Sequence, residues 1–103
     1  MVVHVDLGFE VIKVEKVRLA NVDAPEARTD GGKAATHWVR ERLARAERVV
    51  MATESRGDPH GRYVAQVFYS GDAEASAEGV FRRGRYLNAE MVGAGVAQVM
   101  VIG

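Results

Sequence analysis

The chain has 103 residues, a length that fits one domain, and its 48% hydrophobic content allows a modest core. Its 14 basic residues balance 14 acidic residues, so overall charge alone does not draw the protein to nucleic acid. The lack of cysteine excludes a disulfide framework, thiolate chemistry and a cysteine-bound metal. We expect no membrane span and no secretory signal, because no apolar run approaches about 20 residues and the start lacks a basic segment before a long apolar one.

The first half of the chain predicts two strands, a loop and a helix. Alternating valines predict a strand over Val2–Asp6, and β-branched residues predict another over 9–19. Proline and glycine mark 21–32 as a loop. Apolar residues at three-and-four spacing then predict a helix over 33–47, with Trp38 in the core.

The second half predicts three more strands and a short helix. The strands are predicted over 48–52, 62–69 and 96–102, and the helix over 86–94, closed by Gly95. Residues 53–61 form a polar loop. The small, acidic stretch that begins at residue 70 predicts a mobile insertion around 70–85. Strands that do not alternate regularly with helices indicate an α+β fold or a small barrel, in a single domain over 1–103.

The stretch VRLANVDAPE places an arginine and two acids at the end of a predicted strand. Asp23, beside a proline-restricted backbone, suits a hard cation such as calcium. Glu26 suits the positioning or deprotonation of a water, and Arg18 can hold a phosphate through two parallel hydrogen bonds. Taken alone, the same residues also fit a loop-capping Asp, a solvated Glu and a surface Arg.

A second polar group, DPHGR at residues 58–62, is an Asp-Pro turn that opens onto a glycine and Arg62. Such a turn places a guanidinium at the start of a strand. By itself it equally fits an ordinary turn with a surface arginine.

These two stretches, together with the helix pattern A-x-x-W-V-x-x-x-L and the run LNAEMVGAGVA, resemble the staphylococcal nuclease family in the family's order. The resemblance covers residues 17 to about 101. It implies an OB-fold, a β-barrel with helices, and calcium-dependent hydrolysis of DNA or RNA.

The resemblance also implies a role for each matching residue. Arg18 would bind the scissile phosphate, and Arg62 would stabilise the charge that develops in the transition state. Asp23 would be a calcium ligand beside the carbonyl of Ala24, and Glu26 would position or activate the attacking water.

The sequence departs from the family at both ends. The family's D-G-D-T motif, which supplies a further carboxylate between its first two strands, does not occur, so the first barrel strand is predicted to be lacking. Alternatively, Val2–Asp6 replaces that strand, with Asp6 as the ligand. The family's C-terminal helix and its tyrosines are also missing, and His60 stands where many members have tyrosine.

These departures have consequences for metal binding, assembly and function. Calcium with fewer carboxylates binds more weakly. A barrel that lacks a strand exposes unpaired edges, which predicts a homodimer or strand exchange. Two alternatives to a weakened nuclease stay open: a non-catalytic OB-fold module that binds nucleic acid or a protein partner, and a start codon that lies upstream and adds the D-G-D-T.

Three further features could have a function, but the sequence supports each of them less well than the site described above. Arg82, Arg83 and Arg85 lie between aromatic residues and suit a nucleic-acid backbone, although a solvated strand or loop is the commoner arrangement. His37 is expected to face solvent. The Gly-Gly-Lys at 31–33 lacks the full spacing of a phosphate loop.

Overall fold

The structure is a computed structural model that describes residues 2–6, 12–54 and 63–100. None of its helices is long and apolar enough to cross a membrane. The described strands and helices, in chain order, are β1 (Val2–Asp6), β2 (Ile12–Leu19), β3 (Val22–Asp23), α1 (Asp30–Ala44), β4 (Arg48–Glu54), β5 (Tyr63–Ser70), α2 (Ala77–Arg83), β6 (Arg85–Tyr86), α3 (Leu87–Gly93) and β7 (Gln98–Val99).

The main sheet has the strand order β1-β2-β5-β4, and β6 adds to β5. Strand β2 pairs antiparallel with β1 but parallel with β5, and β4 pairs antiparallel with β5. A second, two-stranded sheet joins β3 to β7. This mixture of sheets and helices confirms the predicted α+β arrangement. The main sheet is not closed into a barrel, because β1 and β4 each have one strand neighbour in the described part of the chain.

Helix α1 begins and ends three residues earlier than the predicted 33–47, because its ends are set by caps. The hydroxyl of Thr29 accepts a hydrogen bond from the Gly32 amide at 3.0 Å, which makes Thr29 the N-cap. At the other end, the amide of Glu47 donates to the carbonyl of Ser70 at 2.9 Å. That bond draws the chain out of the helix and into β4.

Helix α2 lies in a region where the sequence predicted a strand or loop. The hydroxyl of Ser76 accepts from the Gly79 amide at 3.0 Å, and Arg82 pairs with Glu78 one turn away at 2.9 Å. Phe81 packs edge-on against Phe68, with ring centroids 5.0 Å apart. A serine cap, an ion pair and an aromatic contact thus favour a helix over residues whose charge pattern indicated none. The mobility predicted for 70–85 stays a prediction.

The hydrophobic core lies between one face of β5 and the helices α1 and α3. Ala65, Val67 and Tyr69 alternate along β5 and are all buried, as expected for one face of a strand. Leu87 is fully buried opposite them. Trp38 is half-buried and packs against this cluster, as its position in the helical stripe predicted.

Asn88 is a buried polar residue, with 1% of its surface exposed. Its side-chain oxygen accepts from the Val67 amide at 3.0 Å, and its side-chain nitrogen donates to the carbonyls of Ala20 and Ala65 at 2.9 and 3.0 Å. The sequence predicted a helix over 86–94, and α3 spans Leu87–Gly93. The Asn88 side chain ties this helix to the middle of β5 and to the residue that follows β2.

A second polar cluster joins β5 to α3. The Tyr69 hydroxyl donates to one carboxylate oxygen of Glu90, and Arg85 donates to the other through Nε at 2.7 Å and Nη2 at 2.6 Å. The pKa of Tyr69 is raised from its usual 10.0, and the largest cause is burial of the hydroxyl. The hydrogen bond to Glu90 is the second cause. Arg42 approaches Glu90 to 3.9 Å and stacks over the Trp38 ring at 4.8 Å, which brings α1 into the cluster.

Candidate functional site

The segment that follows β2 is fixed by the core below it. The amide of Ala20 donates to the carbonyl of Ala65 at 2.7 Å, and the carbonyl of Ala20 accepts from Asn88. Asn21 then takes a left-handed conformation, with φ of 64°, which asparagine tolerates better than most residues. This turn leads the chain into β3 and so sets the direction in which Asp23 leaves the strand.

Strand β7 pairs with β3 and covers this segment on its other side. Gln98 lies opposite Asp23 in the antiparallel register, and the amide of Met100 donates to the carbonyl of Asn21 at 3.0 Å. Residues 98–100 therefore lie along the chain between Asn21 and Asp23. The predicted strand over 96–102 shortens to Gln98–Val99 within the described residues.

Arg18 is half-buried at the end of β2, and its guanidinium contacts the same segment. Its Nη2 donates to the thioether sulfur of Met100 at 2.8 Å. Arg18 makes no ion pair in the part of the chain that the structure describes. A thioether is a weak acceptor, whereas a phosphate accepts charge-assisted hydrogen bonds, so a phosphate competes well for this guanidinium. No local pattern in the sequence indicates this contact, because Met100 is 82 residues away from Arg18.

The loop that carries Glu26 is fastened to the start of α1. The carbonyl of Glu26 accepts from both the amide and the hydroxyl of Thr29, at 3.0 and 2.6 Å. Gly32 approaches so closely that a Cβ there would overlap the Glu26 carbonyl oxygen. Thr29 and Gly32 thus fix the backbone of Glu26. The sequence alone predicted no role for Thr29 and indicated Gly32 only as part of an incomplete phosphate loop.

The Glu26 carboxylate itself is exposed to solvent. Arg28 Nε donates to it at 3.0 Å, and the two side chains are 86% (Arg28) and 69% (Glu26) exposed. An ion pair this exposed contributes little to stability and is readily exchanged. Within the described residues the carboxylate makes no hydrogen bond or ion pair with Arg18, although the two residues lie within nine positions of the chain.

Asp23 offers one exposed carboxylate, and the carbonyl of Ala24 follows it directly. Both are oxygen donors of the kind that calcium prefers, so their chemistry fits a hard cation. Across residues 12–54 and 63–100, no three His, Asp or Glu side chains form a group that could hold a metal ion. A calcium ion at Asp23 would therefore need further oxygen ligands from water or substrate.

The pairing register of β1 with β2 separates Asp6 from Arg18 and Asp23. Asp6 pairs with Ile12, whereas Arg18 lies six residues further along β2, which corresponds to about 20 Å along an extended strand. Asp23 is further still along the chain. The suggestion that Asp6 supplies the lost carboxylate therefore conflicts with the strand pairing, and we leave it out of the metal site.

Arg62 and the turn at 58–61 lie outside the described residues. Strand β5 begins at the next position, Tyr63, which pairs with Val17 in the parallel register. The predicted role of Arg62 therefore stays a prediction.

The three arginines of the predicted nucleic-acid patch are placed differently from one another. Arg82 pairs with Glu78 on α2, and Arg85 pairs with Glu90. Arg83 makes no ion pair within the described residues. A nucleic-acid backbone would have to compete with a carboxylate at two of the three positions, so this patch also stays a prediction.

Comparison with known proteins bears on this arrangement. The family model described as staphylococcal nuclease homologue matches residues 16–103. That range contains Arg18, Asp23, Glu26 and Arg62, and it includes every described element from the end of β2 onward. A search of curated proteins found no match. Since the family model covers most of the chain, the protein belongs to the staphylococcal nuclease homologue family.

Proposed function

We propose that the protein is a calcium-dependent phosphodiesterase that hydrolyses DNA or RNA. Its family consists of nuclease-like modules. The observation that carries the proposal is that neighbouring residues hold the backbone from Arg18 to Glu26 in place. Asn88 and β7 hold the first part of this stretch through hydrogen bonds and strand pairing. Thr29 and Gly32 hold its end through a hydrogen bond and close packing. Residues that bind a ligand are held in place by the packing and hydrogen bonds of their neighbours, and here three elements, α3, β7 and the start of α1, hold this one stretch.

Each side chain has a distinct task in this proposal. Arg18 exchanges its contact with Met100 for the scissile phosphate and orients it. Glu26 releases Arg28, positions a water for attack on phosphorus and accepts a proton from it. As the new P–O bond forms, the P–O bond to the leaving sugar oxygen breaks, and that oxygen takes a proton from solvent. Arg62 stabilises the added negative charge of the transition state. Asp23 and the Ala24 carbonyl would hold calcium, and the chemistry that a bound calcium ion supplies is polarisation of the phosphoryl oxygens.

A binding module without catalysis is the second candidate. It is favoured by the lack, among the described residues, of a group of three or more His, Asp or Glu side chains that could hold a metal ion. Such a module would retain Arg18 as a phosphate contact, while Glu26 would remain a solvated partner of Arg28.

Incubation of the purified chain with a single-stranded DNA separates the two candidates. We expect hydrolysis in millimolar calcium and none in excess EDTA. A folded protein that binds the strand in both buffers and cleaves it in neither would support the binding module instead. An RNA of the same sequence, tested in parallel, shows which polymer the site prefers.

We also propose a homodimer that forms through the open edges of the main sheet. Strands β1 and β4 each leave one edge without a strand partner in the described residues. Exposed edges of this kind tend to pair with another chain. Light scattering during size-exclusion chromatography should give twice the chain mass of 11.2 kDa. A monomer that persists at high protein concentration would contradict the dimer.

A further inference from the structure

A shallow concavity lies on the exposed side of α1, away from the hydrophobic core. It begins beside the loop that carries Glu26, since the residue after Glu26 forms one end of it. The residues that line it are Ala27, Lys33, Thr36, His37 and Arg40. The concavity thus connects the proposed catalytic loop with the outer surface of the helix.

Three of these residues form a continuous row that we call the basic ridge: Lys33, His37 and Arg40. They are spaced by four and three positions, so their side chains project from the same face of α1. All three are exposed. From Lys33 to Arg40 the helix rises about 10 Å. The ridge is therefore a short linear array of nitrogen donors that points away from the Glu26 loop.

The ridge residues lack an ion-pair partner among the described residues. Lys33, His37 and Arg40 make no ion pair and no side-chain hydrogen bond in the part of the chain that the structure describes. The acids nearest on the helix, Asp30 and Glu41, are also exposed and form no ion pair with the ridge. Both lie about 60 to 80° around the helix from Lys33, on one flank. The other flank, at Thr36, carries no charge.

Two other arginines on or near α1 differ in this respect. Arg28 is paired with Glu26, and Arg42 turns inward to Trp38 and Glu90. Along α1, the basic residues that lack an ion-pair partner in the described part of the chain therefore lie at the concavity. An exposed lysine and arginine without internal partners are the side chains that bind phosphates of a nucleic-acid backbone.

We propose that the basic ridge binds the phosphodiester backbone of the substrate strand on one side of the cleaved bond. The proposal rests on the nuclease function above, because it makes the ridge an extension of that site. A linear polyanion fits better than a small anion, since the donors are spread along the helix and do not converge on one point. Lys33 and Arg40 supply permanent charge, and His37 supplies a hydrogen-bond donor between them.

The test is the salt dependence of DNA binding without catalysis. The double variant Lys33→Gln/Arg40→Gln is compared with the natural protein in binding a fluorescent single-stranded DNA in EDTA. Each phosphate contact with a single strand contributes about 0.7 to the slope of log affinity against log salt. Loss of two contacts should therefore reduce the slope by about 1.4 and weaken binding most at low salt.

A matched control has the same change in net charge elsewhere. Arg45→Gln/Arg48→Gln likewise removes two exposed positive charges, those of an arginine at the end of α1 and of an arginine at the start of β4. We expect its slope to equal that of the natural protein. Circular dichroism confirms that both variants are folded. Equal slopes for the ridge variant and the control would overturn the proposal.

A calcium assay on a dinucleotide keeps this result separate from the proposed activity. A dinucleotide has one phosphodiester and no flanking backbone, so the ridge variant should cleave it at the natural rate. If the dinucleotide is cleaved but the ridge variant and the control have equal salt slopes, the proposal for the ridge is wrong and the proposed nuclease activity stands. If the ridge variant has a reduced salt slope but neither the natural protein nor a variant cleaves the dinucleotide, the ridge is a nucleic-acid contact and the proposed nuclease activity is wrong.

Discussion

Substitution of Glu26 by glutamine is expected to lower kcat for hydrolysis of single-stranded DNA by about 10²- to 10⁴-fold, the usual contribution of a general base. Glutamine retains the size of the side chain and can still accept a hydrogen bond from Arg28, but it cannot take a proton from water. The backbone of the loop should not move, because Thr29 and Gly32 hold it through the Glu26 carbonyl. DNA binding in EDTA should change little.

The control for this substitution is Glu47→Gln. Glu47 is exposed beyond the far end of α1, and its backbone amide rather than its carboxylate makes the described contact. Its loss of one negative charge matches that of Glu26→Gln. If both variants hydrolyse DNA at the natural rate, Glu26 does not act on the water.

Substitution of Asn88 by alanine is expected to lower the free energy of unfolding by about 3 kcal/mol. The change removes three hydrogen bonds of a side chain that is 1% exposed. The carbonyl of Ala65 keeps the amide of Ala20 as a partner. The Val67 amide and the Ala20 carbonyl lose the buried partner that Asn88 provides. Urea denaturation followed by circular dichroism measures the difference.

Gln66→Ala serves as the matched control, because Gln66 is an exposed amide residue on the same strand, β5. Its effect should stay within about 0.5 kcal/mol. Asn88→Asp tests the direction of the bonds, since it retains an acceptor for Val67 but no donor for Ala20. It should also be destabilising. An Asn88→Ala variant as stable as the control would show that these bonds do not hold the end of β2.

Much of the fold could be predicted from local pattern. The apolar spacing of α1 predicted the helix and its inner stripe, including Trp38, and the valines of β1 predicted that strand with its observed bounds. These features depend on residues close in the sequence. The motif from Arg18 to Glu26 was likewise recognisable, because its residues lie within one short stretch.

The features that the sequence did not reveal depend on contacts between distant residues. The pairing of β3 with β7, the thioether of Met100 on Arg18 and the three bonds of Asn88 join positions that are 21 to 82 residues apart. Helix α2 was missed because its capping serine follows an acidic, small-residue stretch that is typical of a loop. The separation of Asp6 from Arg18 follows from strand register, which a single sequence does not define.

The most direct test of calcium-dependent catalysis at Asp23 is a calcium titration of single-stranded DNA hydrolysis by the natural protein and by Asp23→Asn. Asparagine retains an oxygen ligand but removes its charge, which weakens calcium binding. We predict that the natural protein cleaves the strand as calcium rises, and that the variant needs at least about tenfold more calcium for half-maximal rate. Identical calcium curves, or no cleavage by the folded natural protein at any calcium concentration, would contradict a catalytic calcium at Asp23.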